Sequence, residues 1–308
     1  MNSPVLKVKN LKRYYPGVKA VDGIDLTVNK GTCFSILGPN GAGKTTTVEI
    51  LAGLRNRDSG DIEYFGKNTK TIDRNIKRRI GVQLQTTNFL ENLTVTETIE
   101  FFSGLFETRV STNKLIETVS LNEKRKNRIK ELSGGQLQRL AVAVALVNDP
   151  EIVFLDEPTT GLDPQARRML WETIKSMKEN GKTVILTTHY MEEAEELSDK
   201  VVIIDHGNVV ASGTVRELIN SIEHDNIVEF TISNIKNSNS VNAIKEKFSG
   251  LKLIDKMRYS ITTQDVEKTL IKLFDIAKEN NFMLNDIMIR KPNLEDVFLT
   301  LTGHSLRD

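Results

Sequence analysis

A glycine-rich loop at residues 38–45, reading GPNGAGKT, has the residue types and spacing of a phosphate-binding site. Its glycines let the backbone curl so that successive N–H groups point at a phosphate, and a helix predicted to start near Lys44 adds its positive end. We expect Lys44 to neutralise β- and γ-phosphate oxygens, Thr45 to give its hydroxyl to Mg²⁺ and Thr46 to reach the α-phosphate. The predicted phosphate-loop residues are Gly38, Pro39, Asn40, Gly41, Ala42, Gly43, Lys44, Thr45 and Thr46.

Two adjacent carboxylates, Asp156 and Glu157, end the apolar run IVFLDE. Ligands of open α/β sheets sit at the carboxyl ends of the strands, so Asp156 is predicted to be a magnesium ligand. Glu157 is predicted to orient and deprotonate the water that attacks the γ-phosphate, because a carboxylate at that place can serve as a general base. A structural ion pair is the alternative for Glu157.

A second glycine-rich segment, LSGGQ, occupies residues 132–136. Ser133, Gly134 and Gly135 precede a helix predicted to start near Gln136, so their hydroxyl and N–H groups form a second anion cradle. An ordinary helix cap is the alternative. One γ-phosphate does not need two cradles from one compact domain, and the pair of segments therefore suggests two half-sites that a partner copy completes.

Composition limits the possible partners and compartments. The 308 residues allow about two domains. The net charge of +1, from 42 basic and 41 acidic residues, gives no electrostatic argument for nucleic acid. The single cysteine, Cys33, fits a reducing cytosol and is predicted to be buried.

The N-terminus has no long apolar core, so we expect no signal peptide. The longest apolar run, Leu140 to Val147, is shorter than the ~18 residues of a membrane span. Any membrane partner is expected to be another chain.

The elements that position these residues differ along the chain. Residues 1–218 alternate strands and helices, which predicts a parallel sheet with helices on both faces. Period-two segments at LKVKNL and VDGIDLTV predict an antiparallel edge. Fully buried strands are predicted at CFSILG, EIVFLD and TVILTT, with VVIID continuing the set. A mostly helical insertion is predicted at about residues 86–140, with LSGGQ towards its end.

Residues 219–308 are predicted to form a separate accessory module. The segments NIVEFTI, VNAIKEKF, LKLI, RYSITT, a helix from Val266 to Lys278, and MLNDIMI follow in this order. The order βαββαβ predicts a small α+β ferredoxin-like module, closed by a helix at Leu294 to Leu301. The polar stretch NIKNSNS is predicted to be a loop inside it.

Together the motifs at residues 38–45, 132–136 and 156–157 resemble the ATP-binding subunit of an ABC transporter. The resemblance covers residues 5–215 and implies an α/β P-loop NTPase core of the RecA-like type with a helical ABC-specific subdomain. It implies ATP and Mg²⁺ as cofactors and a head-to-tail dimer. In that dimer Ser133, Gly134, Gly135 and Gln136 of one copy close over ATP held by the phosphate loop of the other.

The same resemblance implies roles for isolated residues. His189, at the end of TVILTTH, would contact the γ-phosphate, although an isolated histidine at such a place is more often a satisfied core residue than a catalytic one. Gln85 would sense the magnesium ion and the attacking water as a metal ligand, with Gln83 as the competing choice. Asp163 in GLD would link the two opposed sites.

Adenine recognition is also implied by resemblance. Tyr15, before Pro16 and Gly17, would stack on the adenine ring, for roughly 1–3 kcal/mol by analogy with stacking in nucleic-acid sites. Tyr14 is the neighbouring alternative.

The C-terminal sequence PNLEDVFLTLTG, followed by Leu306 to Asp308, and the segment GLDPQARRMLWE resemble the daunorubicin-resistance type of export ATPase. This resemblance implies a separately encoded membrane permease as partner. It also implies that the chain forms a homodimer, or a heterodimer with a related subunit, on the inner face of the cell membrane. A soluble ABC-family ATPase acting on ribosomes and an importer subunit stay open. In TTNFLENLTV, Phe89 and Leu90 either receive a short permease helix or cap the helical insertion.

Overall fold

The computed structural model describes residues 3–107, 109–222, 226–233, 244–248, 250–255 and 257–303. The chain divides into two compact units, one of residues 1–218 and 301–308 and one of residues 219–300. The predicted loop NIKNSNS and the sequence end at residues 306–308 lie outside the described residues. Over the described ranges, no helix is long and apolar enough to cross a membrane.

In the described part of the first unit, ten strands form two sheets. They are β1 (Pro4–Tyr15), β2 (Val18–Asn29), β3 (Cys33–Leu37), β4 (Ser59–Tyr64), β5 (Lys67–Thr69), β6 (Ile80–Gln83), β7 (Ile152–Asp156), β8 (Thr183–Thr188), β9 (Lys200–Asp205) and β10 (Asn208–Gly213). The larger sheet has the order β10-β9-β3-β8-β7-β6, and only its edge pair β10–β9 is antiparallel. The predicted parallel core is thus confirmed. Strands β3, β7 and β8 are buried along their whole length, as their continuous apolar runs predict.

The smaller sheet is antiparallel, with the order β2-β1-β4-β5. The antiparallel region predicted from the first two segments is therefore a sheet of its own. Its other strands give no period-two signal, because SGDIEY and KNT are short and polar. An apolar core that includes Leu6, Ile24, Phe34 and Ile62 joins this sheet to the parallel one. Cys33 is 1% exposed, so its predicted burial is confirmed.

Eight helices accompany these strands within the described residues up to 220. They are α1 (Lys44–Leu51), α2 (Arg74–Lys77), α3 (Val95–Ser103), α4 (Thr112–Thr118), α5 (Gly134–Ala145), α6 (Pro164–Glu179), α7 (Met191–Leu197) and α8 (Val215–Asn220). The predicted helical insertion consists of α3, α4 and two short 3₁₀ turns leading to α5. A core that includes Val95, Ile99, Leu115 and Leu140 holds these helices together.

Helix α5 begins at Gly134, two residues before the predicted start at Gln136. The reason is a capping box: Ser133 Oγ accepts from the Gln136 N–H at 3.3 Å, and Gln136 Oε1 accepts from the Ser133 N–H at 3.0 Å. Gly134 and Gly135 are thus the first two residues of the helix and do not belong to the preceding loop.

The second unit contains β11 (Asn226–Ser233), a helical turn at 244–247, β12 (Leu251–Asp255), β13 (Arg258–Thr263), α9 (Val266–Glu279) and β14 (Met283–Arg290). Its sheet has the antiparallel order β12-β13-β11-β14, which is the order of a βαββαβ ferredoxin-like module. Residues Val228, Phe230 and Leu273 belong to its core. The predicted closing helix is present as α10 (Leu294–Thr302).

Candidate functional site

The phosphate loop forms the turn between β3 and α1. Gly43 has a φ of +100°, a conformation that L side chains rarely adopt, and a Cβ at this position would lie 2.0 Å from the Ala20 carbonyl oxygen. Lys44, the first residue of α1, is 4% exposed, and its Nζ donates to the Pro39 carbonyl oxygen at 3.0 Å. The ammonium group has three donors, so this bond leaves others for further partners.

A cavity of about 330 Å³ opens beside the loop. Its volume is in the range of small-ligand sites. Gly38, Pro39 and Ala42 belong to the loop without lining the cavity. The lining residues are Ala20, Asn40, Gly41, Gly43, Lys44, Thr45, Thr46, Gln85 and Glu157.

Several side chains converge on the Glu157 carboxylate, which is 7% exposed. Its Oε1 is 3.2 Å from Lys44 Nζ. Its Oε2 accepts from Gln85 Nε2 at 3.4 Å and from Thr160 Oγ1 at 3.1 Å. His189 Nδ1 lies 3.3 Å from the same oxygen. The structure therefore brings Lys44, Gln85 and His189, predicted from separate segments, around one carboxylate.

The two adjacent carboxylates have pKa values shifted in opposite directions. The neighbouring His189 imidazole, assisted by the charge of Lys44, lowers the pKa of Glu157 from 4.5 to about 2 against the effect of burial. Burial raises the pKa of Asp156 although Thr187 and Thr45 donate hydrogen bonds to it. Glu157 is ionised at neutral pH and can accept a proton or orient water. Such a divergence assigns different roles to neighbouring carboxyl groups.

The backbone of Glu157 is held in a left-handed conformation with a φ of +46°. For a residue with a side chain this costs about 1–2 kcal/mol. The Glu157 N–H donates to Thr187 Oγ1 at 2.9 Å and to the Thr187 carbonyl oxygen at 3.2 Å, which fixes the conformation. Strain retained at a buried polar site is typical of functional positions.

Asp156 and Thr45 could hold a magnesium ion. Asp156 is 1% exposed, and its Oδ1 accepts from Thr45 Oγ1 at 3.2 Å and from Thr187 Oγ1. Its Oδ2 has no hydrogen-bond partner among the described residues. A buried carboxylate oxygen without a partner is costly, and Mg²⁺ takes oxygen ligands from one or two carboxylates with waters and phosphates completing its shell. The residues present therefore fit Mg²⁺.

The structure separates the two candidate glutamines. Gln83 lies within β6, is 2% exposed, and its Nε2 donates to the Leu84 carbonyl oxygen at 2.6 Å. Gln85 lines the cavity and contacts Glu157. Gln85 is the one placed at the site, and its role towards metal and water stays a prediction.

The two candidate tyrosines lie away from the cavity lining. The Tyr15 hydroxyl accepts from Arg55 Nη1 at 2.7 Å, and the Arg13 guanidinium lies 4.9 Å from the centre of the Tyr15 ring. The Tyr14 hydroxyl donates to Asp22. Stacking of Tyr15 on adenine stays a prediction.

The LSGGQ segment lies beside the start of α6 and does not line the cavity. A Cβ at Gly135 would lie 2.8 Å from the Ala166 Cβ, so α5 and α6 approach closely only because residue 135 is glycine. A Cβ at Gly134 would meet open space. Asp163 caps α6, where its Oδ1 accepts from the Ala166 N–H at 2.8 Å. Gly135 therefore lies against the Ala166 side chain, and Asp163 binds the Ala166 backbone N–H.

Thr160 and Thr187 are contacts of the carboxylates that the sequence interpretation missed. Thr187 pairs directly with Asp156 across the parallel strands β7 and β8. A threonine near the end of one buried strand and an aspartate at the end of another is the signal that could have found it. Thr160 has no comparable signal, since its bond to Glu157 depends on the turn after β7.

Phe89 and Leu90, the two apolar residues after Gln85, lie in different environments. Phe89 packs against the core of the helical insertion, with its ring centre 5.9 Å from that of Phe102. Leu90 is 62% exposed, as are Phe101 at 53% and Leu105 at 66%. Phe101 in turn contacts the Phe102 ring at 5.4 Å. Exposed apolar side chains therefore flank the Phe89–Phe102 pair.

Comparison with known proteins gives matches along the whole chain. Residues 21–160 match the ABC transporter family. The chain is 37% identical to the Nod factor export ATP-binding protein I of Ralstonia nicotianae, over 100% of this chain and 96% of that protein. It is 35% identical to the linearmycin resistance ATP-binding protein of Bacillus subtilis, over 99% and 100%. It is 33% identical to the daunorubicin/doxorubicin resistance ATP-binding protein of Streptomyces peucetius, over 98% and 94%.

Solved structures match about 70% of the chain. A dimeric ATP-binding cassette in a post-hydrolysis state, bound to ADP and Pi, has a TM-score of 0.62 and 28% identity, covering 68% of this chain and 98% of that one. A nucleotide-free cassette from an ABC transporter has a TM-score of 0.64 and 24% identity, covering 71% and 95%. The second likeness concerns the fold alone.

Proposed function

Because the chain belongs to the ABC transporter ATP-binding proteins, which bind ATP and hydrolyse it to drive transport, we propose that it powers an exporter with a separately encoded membrane permease. The relatives whose names mention export or resistance are matched over nearly their full length. The observation that supports hydrolysis at this site is the convergence of Lys44, Gln85 and His189 on Glu157 beside the phosphate loop.

ATP binding would use the loop at residues 38–45. Its N–H groups and Lys44 hold the β- and γ-phosphates, Thr46 reaches the α-phosphate, and Tyr15 stacks on adenine. Asp156 and Thr45 hold Mg²⁺, with Gln85 beside them. The ion, when bound, neutralises charge on the phosphates.

Hydrolysis would depend on Glu157. The carboxylate orients a water molecule and accepts its proton as the water oxygen forms a bond to the γ-phosphorus. The bond from that phosphorus to the β,γ-bridging oxygen breaks, and ADP and phosphate leave. His189 and Gln85, each within 3.4 Å of the Glu157 carboxylate, hold the γ-phosphate and the water in line.

A head-to-tail dimer would complete two sites. Ser133 and Gly134 start a helix that does not line the chain's own cavity, and a helix start is an anion cradle. In the dimer this cradle closes over the ATP of the other copy, and Asp163 links the two sites. Hydrolysis yields like-charged products that open the dimer and move the permease. A solved cassette similar to this chain is dimeric, which supports dimer formation here.

The permease would dock on the exposed apolar residues of the insertion. Leu90, Phe101 and Leu105 are each more than half exposed and flank the Phe89–Phe102 pair. Exposed apolar patches mark interaction sites, and a short amphipathic helix of the permease is an occupant of fitting chemistry. This contact would hold the chain on the inner face of the cell membrane.

The test is a pull-down of the tagged Glu157→Gln chain from detergent-solubilised membranes with ATP, with ADP as the matched control. The substitution should hold the closed dimer, so we expect one polytopic membrane protein in equal amount with ATP. Recovery of ribosomal proteins, or of a soluble dimer alone, would contradict the transporter proposal and indicate a soluble ABC-family ATPase.

A further inference from the structure

A buried hydrogen bond joins α6 to α7. Trp171 Nε1 donates to Glu193 Oε1 at 3.0 Å, and the two residues are 7% and 0% exposed. Thr159 and Thr188 lie beside the same carboxyl group, and burial raises the pKa of Glu193. Burying an ionisable group is costly unless its polar atoms have partners, and the Trp171 N–H is the hydrogen-bond partner of Oε1, whereas Oε2 has none among the described residues.

A second contact joins the same two segments. The Arg167 guanidinium lies 4.6 Å from the centre of the Tyr190 ring, a distance at which a cation is attracted to the ring face. The Tyr190 ring in turn lies 4.1 Å from the His189 ring, centre to centre. His189 and Tyr190 directly precede α7, and Glu193 lies in its first turn. The contacts thus hold the chain on both sides of the point where α7 begins.

The spacing on α6 connects these contacts to the start of that helix. Asp163, Arg167 and Trp171 follow one another at intervals of four, so they lie along one face of α6. Within the described chain, Tyr190, the N-cap residue of α7, makes no side-chain capping hydrogen bond. The start of α7 is therefore held by contacts with other segments, α6 among them, and not by a side-chain cap of its own.

We propose that Trp171–Glu193 and Arg167–Tyr190 form a clamp that positions His189 against Glu157. The clamp rests on the proposed function, in which His189 faces the γ-phosphate. Asp163 caps α6, the helix that carries Arg167 and Trp171. A contact between the opposed copy and Asp163 therefore affects the position of His189 through the clamp. Glu193 and Trp171 are positioning residues, since they act through His189 and touch no reacting atom.

The experiment separates positioning from packing by removing single polar groups. Trp171→Phe keeps most of the buried ring and removes the N–H, whereas Glu193→Ala removes the acceptor and Glu193→Gln keeps an acceptor oxygen. The matched control is Asn148→Ala, which removes a buried hydrogen bond to the Ile80 carbonyl oxygen and a partly buried one to the Arg78 carbonyl oxygen, at the start of β6. For each variant we measure kcat per nucleotide-binding site, the Kd of ATP and the Tm.

We expect Trp171→Phe and Glu193→Ala to lower kcat by ~10- to 100-fold, because small misplacements of an active-site group have effects of this size. The Kd of ATP should stay within about twofold, since the phosphate loop is untouched, and Glu193→Gln should retain most of kcat. Asn148→Ala should lower Tm without lowering kcat.

Three results would overturn the clamp: an unchanged kcat in Trp171→Phe, a parallel loss of kcat and ATP binding, or an equal loss of kcat in Asn148→Ala. If Glu193→Ala does not fold, Trp171→Phe and Glu193→Gln carry the same test. His189→Ala, measured in parallel, distinguishes the proposed role of His189 from the proposed clamp. Full activity in His189→Ala would refute the role of His189, whereas loss there with full activity in Trp171→Phe would refute the clamp alone.

Discussion

Replacing Glu157 by glutamine removes the proposed proton acceptor and keeps the size of the side chain. Loss of a positioned general base costs roughly 10²- to 10⁴-fold in rate, and we expect hydrolysis to fall by that factor. The same change frees Lys44, whose Nζ lies 3.2 Å from Glu157 Oε1. At that separation and an effective dielectric constant of about 20, the attraction is about 5 kcal/mol. Desolvation offsets most of it, so ATP binding should be unchanged or up to about tenfold tighter, which is about 1.4 kcal/mol.

The assay combines phosphate release at saturating ATP with a nucleotide titration. The control is Glu151→Gln at the other end of β7, where the partly exposed carboxylate pairs with Arg79 at 2.6 Å. Exposed pairs contribute about 0–1 kcal/mol, so this variant should hydrolyse ATP normally. Hydrolysis by Glu157→Gln within tenfold of the unsubstituted chain, with ATP bound, would refute the assignment of the base.

The pKa of Glu157 gives the same prediction a second test. A carboxyl group whose pKa is lowered from 4.5 to about 2 on folding stabilises the folded chain above about pH 4.5 and loses this contribution as the pH falls towards 2. The glutamine variant has no such group. The difference in unfolding free energy between the two chains, measured by chemical denaturation, should therefore shrink from pH 6 to pH 3. A difference independent of pH would show that the carboxylate is not held by its neighbours.

Three further predictions test other parts of the chain. Gly135→Ala should cost about 1–3 kcal/mol by overpacking α5 against α6, whereas Gly134→Ala, facing open space, should not lower Tm. Glu229→Ala should destabilise the second unit by about 1–3 kcal/mol in chemical denaturation, because it removes the buried carboxylate shared by Arg258 and Arg290, although Arg258 is partly exposed and Arg290 keeps Asp296. Leu90→Asp should abolish transport in vesicles and keep ATP hydrolysis, whereas Phe89→Asp should lower Tm; loss of ATP binding in Leu90→Asp would contradict docking there.

Sequence patterns predict the parts of the site that depend on local chemistry. The phosphate loop needs its glycines at fixed places, and the carboxylates need the end of a buried strand, so both are visible in the residues. The start of α5 was predicted two residues too late, although Ser133 and Gln136 have the spacing of a capping box. The glycines of LSGGQ hide it, because glycine is a poor helix former.

Contacts between distant segments could not be predicted in this way. Trp171 and Glu193 belong to different helices, and a tryptophan on an apolar helix face reads as ordinary core. The left-handed backbone of Glu157 depends on the hydroxyl of Thr187 in the neighbouring strand. Strand β4 is fixed by pairing with β1, and β5 by pairing with β4, and neither is fixed by its own polar sequence.

The acidity of Glu157 connects ATP binding to the chemistry. A carboxylate with a pKa of about 2 is a weak base at neutral pH, because proton transfer is most efficient when the pKa of the base lies near the working pH. Lys44 is one cause of that low pKa, and it is also the group that the phosphates attract. In the proposed mechanism, bound phosphates would draw Lys44 away, its effect on Glu157 would weaken, and the negative γ-phosphate would raise the pKa of the carboxyl group further. The proposed base would thus become stronger when ATP is in place, so that the substrate itself would activate the group proposed to hydrolyse it.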